Sequence, residues 1–298
     1  MLFVCGFLKN ESLMYLALGT AQFGLSYGVA GRGQSVPASE VRSILMAAHD
    51  FGIRTLDTAA VYGRIEEHLT DLCGDLEFNV VSKIPAVPRD LPIAHMGIWV
   101  VEQAKRSQAR LGQRLRHLML HRADDLLEPG RTDIWSALAD WGATNNVVVG
   151  ASCYDPSTLV ALQDLPGFCI AQVPCSALDQ RIARTGVALP GVEIHIRSAF
   201  LQGLLLMPQT EAAGRVPAAV DALAAWHDWC RVRELEPLVA ALSIVKSFSA
   251  VSCCVVGVDR LEHLEQIATA WQRATPIPAP HLHCDRTEVI DPRRWSAS

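Results

Sequence analysis

Short apolar runs alternate along this chain with longer stretches in which apolar residues recur every three or four positions. The first pattern predicts buried strands and the second amphipathic helices. Strands are expected at Leu16–Gly19, Thr55–Asp57, Asn79–Lys83, His117–Leu120, Val147–Ser152, Cys169–Val173, Glu193–Arg197 and Ser252–Val256. Helices are expected at Ser39–Phe51, Ile65–Leu72, Ile98–Leu111, Asp133–Thr144, Pro156–Gln163, Ala218–Arg233, Pro237–Phe248 and Leu261–Arg273, with only a weak helical stretch after the sixth strand. The strands read as apolar on both faces, as parallel strands covered by helices do. Repeated βα units with no dividing linker predict one closed (β/α)8 barrel, a TIM barrel, over an open doubly wound sheet.

The expected barrel spans residues 15–275, after an extension at 1–14 and before a Pro-rich tail at 276–298 that crosses the outside or the mouth of the barrel. Met14 is an alternative natural start, because barrel-like patterning begins at Tyr15. The chain has 298 residues, half of them hydrophobic, which is ample for a large core. A formal net charge of -5 without a Lys/Arg block gives nucleic acid no electrostatic hold. The nine cysteines are scattered without C-x-x-C spacing, which fits reduced thiols in the cytoplasm. No apolar run is long enough for a membrane helix, and the apolar N-terminus lacks the basic start of a signal peptide. Oligomeric state is not legible.

There is no G-x-G-x-x-G after a strand and no Walker A loop, so a nucleotide would need another device. Reactive groups of such barrels sit at the C-terminal ends of strands. Asp57 ends the second expected strand, Lys83 the third and His121 follows the fourth, with Tyr62 in the loop after Asp57. This set suits proton transfer to a carbonyl oxygen. The Lys ammonium is expected to lower the phenol's pKa, the Asp to hold the Lys, the His to orient the substrate and Tyr62 to supply the proton. Singly, the Asp could be a helix cap or part of a barrel-rim ion pair, and the Lys a snorkelling surface residue. Three successive strands presenting such groups to one rim favour the catalytic reading.

The chain resembles the aldo-keto reductase superfamily at Leu18-Gly19-Thr20-Ala21-Gln22-Phe23-Gly24, Leu56-Asp57-Thr58-Ala59-x-x-Tyr62-Gly63, Ser82-Lys83 and His121. Further matches follow in order at Gly150-Ala151-Ser152, Ala171-Gln172-Val173, Arg197 to Gly203, and Val256-Gly257 with Leu261 to Glu265. The resemblance implies an NAD(P)H-dependent oxidoreductase that interconverts a carbonyl compound and an alcohol, with Asp57, Tyr62, Lys83 and His121 as its catalytic tetrad. It implies NADPH, with NADH as the alternative, lying against Gly19, Thr20, Asp57, Ser152, Gln172, Ser198, Phe200, Leu201, Gly203, Gly257, Arg260 and Glu265. The longer GTAQFGLSYGVA segment is similar to a bacterial branch associated with sugar and surface-polysaccharide genes. Departures fall at Cys153 where Asn is usual, at Cys175 in place of a stacking aromatic, and at Gly257, His263 and Ile267 where 2′-phosphate contacts often lie; Arg260 is the substitute phosphate partner.

Phe23 and Tyr27, in the loop after the first strand, are expected to wall the substrate beside Tyr62 and His121. No metal site is expected: His117 and His121 would lie ~13 Å apart on a strand. The Trp226–Trp229 pair reads as helix packing. Two other readings stay open, a cofactor-holding regulatory barrel of low activity and a lyase or epimerase that uses Lys83 as an amine.

Overall fold

The computed structural model describes residues 14–25, 36–184 and 191–295. Its eight strands are β1 (Tyr15–Gly19), β2 (Thr55–Asp57), β3 (Asn79–Ile84), β4 (Leu115–Leu120), β5 (Val148–Ser152), β6 (Ile170–Pro174), β7 (Glu193–Arg197) and β8 (Cys253–Gly257). Each pairs in parallel with the next, and β8 closes on β1 through Tyr15↔Cys253 to Gly19↔Gly257. The chain is a closed (β/α)8 barrel, the TIM-barrel architecture. Strand bounds fall within two residues of those expected.

The main helices are α1 (Ala38–Asp50), α2 (Ile65–Cys73), α3 (Ile93–Leu111), α4 (Thr132–Asn145), α5 (Thr158–Leu162), α6 (Val220–Val232), α7 (Pro237–Lys246) and α8 (Leu261–Arg273). They bury one stripe each, such as Val41, Ile44, Leu45 and Ala48 of α1. The helix expected from Ile98 begins at Ile93 instead. Ile93 and Ile98 are both exposed, which blurs the amphipathic stripe, and the extended Pro92 sets the true start.

Two features depart from the expected pattern. The strands are not apolar throughout: at the N-terminal ends of β1, β4 and β7, Tyr15 donates to Glu193 Oε1 at 2.5 Å, His195 Nε2 lies 2.8 Å from the same oxygen, and His117 Nε2 lies 3.5 Å from Oε2. Burial pushes the Glu193 carboxyl up, but bonds from His117, His195 and Tyr15 outweigh it and hold it below the usual carboxylate range. Cys169 is disulfide-bonded, which corrects the expectation of reduced thiols throughout; seven other described cysteines are free. Spacing along the chain does not reveal which sulfurs meet in space.

The Pro-rich tail is fastened by side-chain and backbone hydrogen bonds. Gln180 donates its amide to Ala279 O, Cys284 N–H donates to Leu178 O, and Val289 and Ile290 are buried. This brings Arg293 onto the ring of Tyr154, at the C-terminal end of β5. No described helix is long and apolar enough to cross a membrane.

Candidate active site

The ladder that closes the barrel also aims the rim residues. Asp57 pairs with Val81 across β2–β3, Lys83 with Met119 across β3–β4, and His121 N–H donates to Ile84 O just beyond the ladder. Adjacent strand ends thus bring Asp57, Lys83 and His121 together. Lys83 Nζ donates to both carboxylate oxygens of Asp57, at 2.7 and 2.8 Å, and to Thr58 O at 3.1 Å. Gln172 Nε2 donates to Asp57 Oδ2 at 2.7 Å. The two charges are 4% and 1% exposed, and such burial is tolerable only because their polar valences are filled.

Tyr62 stands over this pair. Its ring centroid lies 5.8 Å from Lys83 Nζ and 6.1 Å from the His121 ring, edge to face. The loop that carries it is held by glycines. Gly63 has φ +65°, and a Cβ there would sit 2.7 Å from Gly24 O; a Cβ on Gly24 would sit 2.0 Å from Tyr62 O. Two backbones therefore pack in direct contact, and the Tyr62 peptide rests on the turn after β1.

The electrostatics correct one expectation. The Tyr62 hydroxyl is raised, not lowered, even with Lys83 Nζ 5.8 Å from its ring centroid. Burial, and after it the Asp57 carboxylate, push the Tyr62 hydroxyl well above its ordinary value, and the cation that pulls it back is Arg197. His121 moves the other way. Burial, then the charges of Lys83 and Arg197, lower it to about 4. At neutral pH the site thus presents a protonated phenol and a neutral imidazole, both able to donate a hydrogen bond.

A groove of about 570 Å³ opens beside Tyr62 and Asp57, past Gly19, Gln22, Ser198, Phe200, Gln202 and Gly203, to Gly257, Asp259, Arg260, His263, Gln266 and Ile267 at the start of α8. The turn after β7 carries positive φ at Ser198, Leu201, Gln202 and Gly203, bending the chain around the groove. At the far end Arg260 Nε and Asp259 Oδ2 are buried without a partner among the described residues, while His263 Nδ1 holds Asp259 Oδ1 at 2.8 Å. A long groove with an arginine beside a helix start, its Nε without a partner among the described residues, suits an extended, phosphate-bearing ligand.

Not every expected contact lines that groove. Gly19, Asp57, Ser198, Phe200, Gly203, Gly257 and Arg260 do. Thr20 is buried and bonds Asp57 O through N–H and hydroxyl, and Ser152 and Gln172 are buried beneath the rim. Leu201 is buried in a second apolar cluster, and Glu265 is exposed on α8 away from the lining. Phe23 is corrected: it packs in the core at 6% exposure, and its neighbour Gln22 faces the groove, because the turn after β1 is helical and points alternate residues differently. Tyr27 lies outside the described residues. Cys175 is wholly buried and does not line the groove.

The residue missed as a site residue is Arg197. It ends β7 just as Asp57 ends β2, lines the groove, and its charge acts on both Tyr62 and His121. The strand-end rule that singled out Asp57 and Lys83 would have found it.

A sequence profile described as the aldo/keto reductase family matches residues 15–278. No curated protein matches the chain. Among solved structures, PA4992 of Pseudomonas aeruginosa, a protein assigned to the aldo-keto reductases, is 22% identical with a TM-score of 0.64, over 87% of this chain and 89% of that one. The aldo-keto reductase AKR11C1 of Bacillus halodurans, in its holo form, is 17% identical with a TM-score of 0.64, over 94% of both chains. These likenesses are of fold.

Proposed function

We propose, on the premise that the chain belongs to the aldo/keto reductase family, that it reduces an aldehyde or ketone to an alcohol, or runs the reverse, with NADPH or NADH as its cofactor and Tyr62 as general acid/base. The observation that carries the reading is the Asp57–Lys83 pair set beneath Tyr62 and His121 at one end of the groove. The family implies a carbonyl oxidoreductase; the cofactor, the proton route and any sugar-derived substrate are part of the proposal.

Residues of the groove fit a dinucleotide. Arg260 and the start of α8 would meet phosphate, Ser198, Phe200 and Gly203 would flank the middle, and the Asp57 end would receive the nicotinamide. When bound, the reduced nicotinamide supplies the hydride that the carbonyl carbon accepts. His121, kept neutral, donates a hydrogen bond to the carbonyl oxygen and orients it. Tyr62 then delivers its proton to that oxygen. An alkoxide is a stronger base than a phenolate, so the transfer is favourable even with a raised phenol, which suits the reductive direction. Arg197 steadies the phenolate left behind. The contribution of this proton transfer is about 10²–10⁴ in rate.

Lys83 is poorly placed for Schiff-base chemistry, since its amine is buried, charged and triply bonded. At the phosphate end Arg260 favours a 2′-phosphate and Asp259 opposes it, so NADPH preference rests on Arg260 alone.

The test is fluorescence titration with NADPH and NADH, followed by turnover on a panel of aldehydes. Saturable binding, and turnover lost in Tyr62→Phe with binding retained, is the expected result. No binding of either nucleotide at about millimolar concentration would refute the reading.

A further inference from the structure

Charge pairing around the groove mouth is uneven. Arg181 is held by Asp179, Arg293 by Asp291, and Arg122 and Arg131 by Asp125. Arg197 has no acidic partner among the described residues. It rests on the Tyr154 ring at 4.2 Å and donates one weak bond, 3.4 Å, to Cys153 O. Arg293 covers the same ring at 3.4 Å, with its own charge already taken by Asp291. Stacking fixes the guanidinium plane without neutralising it, which preorganises a fork for planar anionic oxygens. Arg197 lines the groove at the same end as Tyr62, whereas Arg260, the other arginine of the lining, lies at the far end by α8. The Tyr62 phenolate draws on the charge of Arg197, whereas the N–H donors of Arg197 make only one weak bond among the described residues.

We propose that Arg197 binds a carboxylate or phosphate carried by the substrate near its carbonyl group, so that the preferred substrates are anionic carbonyl compounds. This rests on the oxidoreductase reading above. The anionic group takes no part in the chemistry; it anchors the molecule so that its carbonyl oxygen meets Tyr62 and His121. A charge-assisted bidentate contact of this kind is worth about 10- to 100-fold in kcat/KM.

Matched pairs decide it: 4-carboxybenzaldehyde against benzaldehyde, succinic semialdehyde against butyraldehyde, and glyceraldehyde 3-phosphate against glyceraldehyde. Wild type should favour the anionic member of at least one pair about tenfold or more, and the pair that does so separates carboxylate from phosphate. Arg197→Met should erase that preference, with an added KM penalty on the anionic member beyond the loss of turnover common to both, and Arg197→Lys should keep part of it. Equal loss on both members of a pair would show that Arg197 acts only on Tyr62 or the cofactor, and would overturn the proposal. So would a wild type indifferent to charge. If no member is turned over, the oxidoreductase reading fails separately. Calorimetry with succinate, terephthalate and inorganic phosphate, with and without NADPH, then tests the site directly: binding lost in Arg197→Met sustains it, and no binding to wild type sinks it.

Discussion

Replacing Gly24 with Ala should cripple turnover while leaving the barrel standing. A Cβ at Gly24 would lie 2.0 Å from Tyr62 O and 2.9 Å from Tyr62 C, where contacts under 3.0 Å are essentially never found. The obstacle is backbone, so no rotamer change relieves it. The Tyr62 peptide must retreat by about 1 Å, and a displacement of that size at a catalytic group costs about 10²-fold in rate. Overpacking of this sort costs about 1–3 kcal/mol of stability, which a barrel of this size tolerates. The assay is kcat on the best aldehyde, beside NADPH affinity and a thermal melt. The expected pattern is kcat down about 10- to 100-fold, cofactor affinity within a few-fold, and a Tm lower by a few degrees. A folded Gly24→Ala variant with wild-type kcat would refute the claim that the turn after β1 seats Tyr62.

Lys83→Met leaves the buried Asp57 carboxylate with only Gln172, so it should lose about 3–5 kcal/mol in chemical denaturation; adding Asp57→Asn should recover part of that, and additive losses would contradict the pairing. His121 is lowered to about 4 from an ordinary 6.5. The unfolded chain therefore binds more protons between these values, and His121 contributes stability that is present above pH 6.5 and lost as pH falls toward 4. A His121→Gln variant should show a shallower fall of Tm from pH 7 to 4.5, and an unchanged slope would count against the shift. Gly150→Ala would set a Cβ 1.7 Å from Ile170 O across β5–β6, so soluble yield should collapse rather than turnover alone; normal yield and melting would show that the strands separate more easily than the packing implies.

Much of this protein was legible along the chain. Strand and helix periods are local, so alternating buried runs and amphipathic stripes were enough to define eight βα units and the barrel, and the strand-end rule placed Asp57, Lys83 and His121 on one rim. What the tertiary structure decided depends on who meets whom. Lys83 is spoken for by Asp57, and burial outweighs the cation that pulls Tyr62 back; both follow from packing, not from residue type. Phe23 turned into the core and Gln22 into the groove because one short helical turn set their directions. Arg197 has no acidic partner among the described residues, whereas Arg181 and Arg293 are held by Asp179 and Asp291, the second pair on the tail that the chain's pattern set across the outside or the mouth of the barrel. Periodicity reports which face of an element is buried, whereas charge balance and reach are properties of neighbours far apart in sequence, and only the closed barrel brings those neighbours together.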